Sequence, residues 1–266
     1  MGKMILIASG KGGTGKTTMT SHIGAKIAAE GFLTALVDAD VGFRNLDIAL
    51  GMESSVVYDY SDYINGGCEL DDVLIKSSDS ENLYFVAAPQ SVSTIEFDHA
   101  RTAEFWDSLK RRFEIVLADA PAGMGDGFMF AAKYADEAVV VCHAEASSLR
   151  DADRVVAELE ELGIDTVRLI LNRMDPKLVE QKVLMNVDDC IDVLSVPILG
   201  IVPEDSAVTV SMINGTPNIA AAGYGAGTAF ENIARRILGN EVQMMDFPDG
   251  KKQGLLKKLK DICIKK

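Results

Sequence analysis

Near the start of the chain, the residues Gly10-Lys11-Gly12-Gly13-Thr14-Gly15-Lys16-Thr17 match the phosphate-binding pattern GxxxxGK[ST]. The glycines let the backbone curl so that successive N–H groups point at phosphate oxygens. A helix expected to begin near Lys16 adds its dipole, and the Lys16 ammonium can reach the terminal phosphates. The Thr17 hydroxyl can ligate Mg²⁺. The pattern therefore predicts an ATP and Mg²⁺ site formed by residues 10–17 and the adjoining Thr18.

Outward from this loop, short apolar runs alternate with longer amphipathic segments. The runs are rich in Val, Ile and Leu and are apolar on both faces, which is typical of strands buried between two helical layers. This order predicts an α/β fold with a doubly wound, mostly parallel sheet of about seven parallel strands. The predicted strands are residues 4–8, 33–38, 83–87, 114–119, 138–142, 167–171 and 198–202, and the clearest helices are 16–30, 102–112, 148–162 and 226–238.

Three aspartates follow predicted strands at the edge of the sheet where the loop lies. Asp119 ends the fourth predicted strand, where a carboxylate can hold Mg²⁺ through water, Asp38 ends the second, and Asp40 lies two residues further on. An aspartate at a strand end is more often a turn or capping residue. The neighbouring phosphate loop favours a metal role for Asp38 and Asp119 together with Thr17, and either Asp38 or Asp40 could orient an attacking water.

Charge is unevenly distributed along the chain. The formal net charge is −14, but residues 251–266 hold seven lysines and one acid, so that residues 1–250 carry −20. An acidic body is repelled by a phosphate backbone, so we expect no direct nucleic-acid binding. The four cysteines form no CxxC pair, which argues against a zinc site or a disulfide framework. No apolar stretch suits a signal peptide or a membrane-spanning helix, and we expect a cytoplasmic protein.

The C-terminal residues 254–266 have a helical pattern of their own. At 100° per residue, an arc of about 120° collects the apolar side chains except Ile264, which points away, and most lysines lie outside it. A helix of this length is about 20 Å long, too short to cross a bilayer but suited to lie in the interface of an anionic membrane. The alternatives are a terminal helix packed on the domain and a disordered end. The predicted membrane-facing residues are Leu255, Leu256, Leu259, Ile262 and Cys263.

Residues 241–253 contain Pro248 and Gly250 and show no helical period, which is typical of a linker. The chain is thus predicted to comprise an ATPase domain at 1–240, a linker at 241–253 and an amphipathic tail at 254–266.

Residues 11–18, KGGTGKTT, resemble the deviant Walker A motif of the ParA/MinD family of P-loop ATPases, and Lys11 falls on that family's signature lysine. On the loop pattern alone, Lys11 could be a solvated side chain. Residues 37–47 (VDADVGFRNLD) and 119–123 (DAPAG) resemble switch I and switch II of the family's MinD branch. Residues 147–154 and 202–205 have counterparts there too. The resemblance spans residues 3–240 and the tail.

The resemblance implies a mechanism for these positions. ATP would draw two protomers face to face, and Lys11 would cross to the phosphate bound by the other protomer. Asp40 would position the attacking water. Asn172 and the turn containing Pro203 and Asp205 would line the adenine pocket. Hydrolysis would then separate the homodimer and reverse its peripheral attachment to the inner face of the cell membrane.

The family also suggests a face that docks an effector resembling MinC or an activator resembling MinE. We expect that face near the switch segments, although its residues could simply be solvated. Other members of the same family partition DNA or cargo, and a flagellum-placing relative of the MinD branch is a further alternative. An iron–sulfur carrier would need cysteines near residues 119–123, where there are none. The expected face comprises Arg44, Asn45, Glu53, Arg150 and Asp153.

Overall fold

The computed structural model describes residues 1–90 and 98–245. Within these residues, eight strands form a single sheet in the spatial order β3-β4-β2-β5-β1-β6-β7-β8. All neighbouring strands are parallel except the pair β3 and β4, which is antiparallel. The strands are β1 Lys3–Ala8, β2 Thr34–Asp38, β3 Ile75–Lys76, β4 Leu83–Val86, β5 Ile115–Asp119, β6 Glu137–Cys142, β7 Val167–Met174 and β8 Ile198–Pro203.

Helices cover both faces of this sheet. The helices are α1 Lys16–Ala29, α2 Asn45–Leu50, α3 Tyr60–Ile64, α4 Leu70–Val73, α5 His99–Arg112, α6 Asp126–Ala132, α7 Ala146–Glu161, α8 Pro176–Glu180, α9 Val187–Leu194, α10 Ser206–Asn214 and α11 Ala226–Ile237.

The central strand β1 shows why the sheet is buried on both faces. Met4 and Leu6 pack into one apolar cluster, which also contains Trp106 of α5. Ile5 and Ile7 point the other way, into a second cluster with α1 and α11. Side chains of a strand alternate between faces, so apolar residues at every position are what a strand between two helical layers requires.

β1 lies between β5 and β6 in the sheet: the chain first runs from β1 to β2 on one side, and later crosses from β5 past β1 to β6 on the other. In open α/β sheets, ligands bind outside the carboxyl ends of the strands at such a point. The residues after β1 are the glycine-rich loop, and Asp119 is paired in register with Ile7. The topology therefore gathers the loop and the predicted acids at one edge.

The predicted class is confirmed, including seven parallel strands. The short antiparallel strand β3 was not predicted, because two residues carry no measurable period. The predicted tail lies outside the described residues, as does most of the predicted linker. The first residues of the predicted linker contact the domain: Arg236 donates hydrogen bonds to the carbonyls of Val242 and Gln243, and Met245 packs against the second cluster. In the part of the chain that is described, the helices are too short or too polar to cross a membrane.

Candidate phosphate and magnesium site

The glycine-rich loop has the backbone that its sequence requires. Gly13 and Gly15 have φ angles of 79° and 99°, in the left-handed region that favours glycine. A Cβ at Gly12 or Gly13 would meet open space, so this side of the loop is free for a ligand. A Cβ at Gly10, in contrast, would collide with the backbone of Asp151 in α7. The loop is therefore wedged against α7 on one side and open on the other.

Lys16 begins α1 and is nearly buried below the loop. Its Nζ donates to the Oγ of Ser9 at 2.9 Å. Burial lowers the pKa of Lys16, while the nearby carboxylates of Asp119 and Asp40 oppose that shift. The ammonium is thus held in a partly dry environment with few protein partners. A phosphate oxygen could accept a further hydrogen bond from this ammonium.

Thr17 and Asp119 meet directly at the end of β5. The Thr17 hydroxyl donates to Oδ2 of Asp119 at 2.6 Å, and the Thr20 hydroxyl lies 3.4 Å from Oδ1. Burial raises the pKa of Asp119 to about 6, against the opposing effects of the Thr17 hydrogen bond and the Lys16 charge. A buried carboxylate beside a hydroxyl, without a fully paired charge, is a favourable place for a cation.

Asp38 organises the segment that follows β2. Its Oδ1 accepts from the backbone N–H of Asp40 at 2.9 Å, and its Oδ2 accepts from that of Leu46 at 3.2 Å. Burial, followed by the charge of Asp119, raises the pKa of Asp38 to about 8. Burial also raises the pKa of Asp40, although Lys16 lowers it. Three acids with raised pKa values therefore lie close together, and Lys16 faces two of them, Asp40 and Asp119.

These residues fit Mg²⁺. Among the described residues, no group of three His, Cys, Asp or Glu side chains could hold a metal unaided. Mg²⁺ usually takes one or two carboxylates and completes its shell with water and substrate phosphates. Thr17, Asp119 and Asp38 offer oxygen ligands of the required kind. The Thr14 hydroxyl, buried in the loop without a partner among the described residues, is another group that a ligand could satisfy.

A narrow cleft lies beside the loop, where a nucleotide base would extend from the phosphates. Asn172 ends up against the loop: its Nδ2 donates to the Thr14 carbonyl at 2.8 Å, and its Oδ1 accepts from the Arg173 N–H. Asp205 uses its carboxylate to cap α10 and α11. The structure brings together here the residues predicted for the adenine pocket, and the cleft is lined by Gly15, Thr18, Asn172, Arg173, Pro203, Glu204, Asp205, Val208 and Thr209.

Lys11 lies on the open side of the loop and contacts its own chain. Its Nζ is 3.7 Å from a carboxylate oxygen of Glu145, which lies just before α7, and 3.4 Å from the Oγ of Ser147, in the first turn of α7. Its side chain is 34% exposed. The ammonium is thus held by exposed groups at the protein surface.

The residues of the expected partner face fall into two groups. Asn45 and Glu53 are exposed on and after α2, and Arg150 and Asp153 are exposed on α7. Arg44 differs from these, because its guanidinium donates to Asp47 at 2.8 and 3.1 Å and is largely buried. Arg44 therefore holds the switch segment in shape, in addition to any contact it makes with a partner.

Several residues of the site were not singled out from the sequence. Ser9 and Thr20 contact Lys16 and Asp119, and Glu145 and Ser147 contact Lys11. Ser9 could have been found, since it is the last residue between β1 and the loop. The partners of Lys11 lie more than a hundred residues away along the chain, and no local pattern joins them.

Comparison with known proteins shows the family of the chain. The model of the CobQ/CobB/MinD/ParA nucleotide binding domain matches residues 5–218. The septum site-determining protein MinD of a Synechocystis strain is 38% identical over 248 residues, which cover 93% of each chain.

Solved structures of similar proteins support the same family. The MinC:MinD cell division protein complex of Aquifex aeolicus includes a chain with a TM-score of 0.85 and 33% identity, covering 92% of this chain and 99% of that one. The septum site-determining protein MinD of Pyrococcus horikoshii, complexed with Mg-ADP, has a TM-score of 0.79 and 28% identity, covering 89% and 96%. The chain therefore belongs to the MinD branch of the ParA/MinD family of nucleotide-binding proteins.

Proposed function

We propose that this chain is a Mg²⁺-dependent ATPase that dimerises when it binds ATP, attaches to an anionic membrane surface as a dimer, and helps to position the cell-division site. Hydrolysis would reverse both dimerisation and attachment. The observation that carries the proposal is the arrangement of Lys16, Thr17 and Asp119 beneath a glycine loop whose outer side is open.

The chemistry follows from the positions of these groups. The bound metal would neutralise charge on the phosphate oxygens. Lys16, already poorly solvated, would place a positive charge at the terminal phosphates. Asp40 lies beside Lys16 at the start of the switch segment, and its raised pKa suits a group that orients a water molecule.

Lys11 supports the dimerisation step. It is not needed to cradle phosphate within its own chain, and in the single chain it is held by Ser147 and Glu145 at the surface. An exposed ion pair of this kind is worth at most about 1 kcal/mol. Lys11 can therefore leave it and contact the phosphate bound to the second protomer, which makes hydrolysis depend on dimerisation.

The membrane step rests on the predicted tail at residues 254–266. Each immersed Leu or Ile contributes at most about 1.5–3 kcal/mol, and each lysine near anionic lipid about 1 kcal/mol. Ordering a short helix offsets much of that sum. One tail binds loosely, whereas two tails on one dimer gain roughly 10²- to 10⁴-fold by effective concentration. Dimerisation is then the membrane switch.

The relatives suggest the biological setting. The Aquifex aeolicus MinD chain was solved with MinC, and we infer that the exposed residues Asn45, Glu53, Arg150 and Asp153, with Arg44, face a MinC-like effector or a MinE-like activator. The Pyrococcus horikoshii protein was solved with Mg-ADP, which supports the same nucleotide chemistry here.

Liposome co-sedimentation tests the proposal. The intact chain, a deletion of residues 254–266, Lys16→Ala and Lys26→Ala would each be mixed with anionic vesicles and Mg·ATP or Mg·ADP. Lys26 is the matched control, because it is the other lysine of α1 whose pKa burial lowers, and it neighbours Glu231 rather than the phosphate site.

Only the intact chain and Lys26→Ala should pellet strongly, and only with ATP. Equal pelleting with ADP would rule out the coupling between nucleotide and membrane. Retention on DNA with none on lipid would instead favour a DNA-partitioning role.

A further inference from the structure

Helix α10, which forms one wall of the base cleft, is attached to the domain in an unusual way. All nine of its residues are described, and Ser211 alone is buried. The apolar Val210 and Ile213 are 56% and 76% exposed. A surface helix normally buries its apolar stripe, so hydrophobic burial contributes little to holding this one.

His22 of α1 supplies the missing attachment. Its side chain is fully buried, with Nε2 3.0 Å from the Ser211 Oγ and Nδ1 2.9 Å from the Thr18 carbonyl. Its ring also packs on Phe230 of α11, with the ring centroids 4.5 Å apart. One imidazole therefore joins the helix that follows the phosphate loop to the wall of the base cleft.

The hydrogen-bond partners of His22 show which ring nitrogen carries the proton. A carbonyl can only accept, so Nδ1 carries the proton toward Thr18. Burial lowers the pKa of His22 to about 4, so the ring is neutral near neutral pH and Nε2 is an acceptor. The single Ser211 hydroxyl proton lies near two acceptors, this Nε2 at 3.0 Å and the Thr216 carbonyl at 2.5 Å, and is shared between them. Removing His22 leaves Ser211 with Thr216, whereas removing Ser211 leaves the buried Nε2 without this partner.

The two ends of this connection are both walls of the cleft. Thr18, whose carbonyl accepts from His22, lines the cleft on the loop side. Val208 and Thr209, within one turn of Ser211, line it on the α10 side. His22 thus connects the two walls directly, in addition to the Asp205 cap at the start of α10.

We propose that His22 is a positioning residue for the nucleotide base: through Ser211 it holds α10 at the distance from α1 at which the cleft accepts the base. This rests on the proposed nucleotide binding and adds to it, since the contacts of His22 run to the Thr18 carbonyl and to Ser211 rather than to Lys16, Thr17 or Asp119. It follows that His22 affects recognition of the base and leaves recognition of the phosphates unchanged.

Binding of two ligands to the intact chain tests this. Isothermal titration calorimetry would measure the dissociation constants of Mg·ATP and of Mg·tripolyphosphate, which has the phosphates but no base. For His22→Leu and for Ser211→Ala, the ATP constant should rise by about threefold to tenfold, the usual effect of one hydrogen bond. The tripolyphosphate constant should stay within about twofold. In the double variant the loss should be smaller than the sum of the two single losses, because both changes break the bond between His22 and Ser211.

Two further variants separate positioning from a general loss of stability. Ile23→Val removes one methyl group from the same helix and no hydrogen bond, so it should leave both constants unchanged. His22→Gln keeps a polar group near the position of Nε2 and should recover most of the ATP affinity. Ser211→Ala removes only one oxygen and keeps the assay informative if His22→Leu folds poorly.

The inference would be overturned if the variants lost affinity for both ligands equally, if neither variant changed the ATP constant, or if the unaltered chain bound ATP no more tightly than tripolyphosphate. Failure of the unaltered chain to bind either ligand would instead overturn the proposed function itself.

Discussion

At the scale of single residues, repulsion between neighbouring carboxylates destabilises their charged forms in the site. Asp38, Asp40 and Asp119 lie close together, Lys16 neighbours only Asp40 and Asp119, and burial raises the pKa of all three carboxyl groups. Without nucleotide and metal, the folded protein therefore keeps protons on groups that lose them in the unfolded chain. Such strain at a binding site is relieved when a cation arrives.

This strain predicts a pH dependence. The raised pKa values mean that, between about pH 4 and about pH 8, the folded state binds more protons than the unfolded state, so this cluster makes the free energy of unfolding fall as pH rises. Asp38→Asn should reduce the fall between about pH 5 and about pH 8 by on the order of 1–3 kcal/mol, measured by urea denaturation without nucleotide.

The quantity to compare is the slope of the free energy of unfolding against pH, not the stability at one pH. The Asn side chain accepts from only one of the two N–H groups that Asp38 satisfies, so the substitution lowers stability at every pH. Asp79→Asn, in an exposed turn, is the matched control and should keep the slope of the unaltered protein. An Asp38→Asn protein with an unchanged slope would contradict the charge cluster.

The sequence was most informative at this scale where a motif joins neighbouring residues. Lys16 and Thr17 follow from the loop pattern, and Asp119 follows from its place at a strand end. His22 could not be recognised, since its partner Ser211 is 189 positions away. Taken from the sequence, His22 is a plain structural or surface histidine; only the packing of α1 against α10 gives it a specific partner.

At the scale of elements, Asp205 ties two helices together. Its Oδ1 accepts from the Ala207 N–H at 2.9 Å to cap α10, and its Oδ2 accepts from the Ala226 N–H at 3.0 Å at the start of α11. A single carboxylate thus satisfies orphan N–H groups at two helix N-termini. Because α10 buries so little apolar surface, this cap matters more for its position than for that of a well-packed helix.

Asp205→Ala should therefore lower the free energy of unfolding by roughly 2 kcal/mol, about 1 for each cap. The matched control is Asp175→Ala, because Asp175 caps α8 alone through the Lys177 N–H at 2.8 Å and should cost about half as much. Urea denaturation of both variants measures the difference. Equal losses would show that the second cap, at α11, contributes nothing.

Elements were predictable where burial imposes a strong pattern. The buried parallel strands are continuous apolar runs, and the four long helices, α1, α5, α7 and α11, were predicted to within three residues of their observed ends. β3 is too short to show a period. α10 was not predicted because its sequence, SAVTVSMIN, has no polar stripe to mark a solvent face. Its position depends on contacts from other parts of the chain.

At the scale of the whole molecule, the chain combines an acidic body with a basic end. Residues 1–250 carry −20 and residues 251–266 carry +6, so an anionic surface repels the first and attracts the second. The sequence predicted the fold class and the family well, because the fold follows from local apolar runs and one loop. The sequence alone cannot predict dimerisation, since a contact between two copies leaves no periodic pattern within one chain.

Dimerisation by ATP is the central claim, and the mass of the protein in solution tests it most directly. Sedimentation analysis would compare the intact chain with Lys11→Ala and with Lys3→Ala, each with Mg·ADP or with Mg²⁺ and a slowly hydrolysed ATP analogue. Lys3 is the matched control, because it lies at the other end of β1 and pairs with Glu137.

We predict that the intact chain and Lys3→Ala shift from the 28.6 kDa of one chain to twice that mass with the ATP analogue only, and that Lys11→Ala stays single while still binding the analogue. An intact chain that binds the analogue and Mg²⁺ yet sediments at 28.6 kDa would contradict the account.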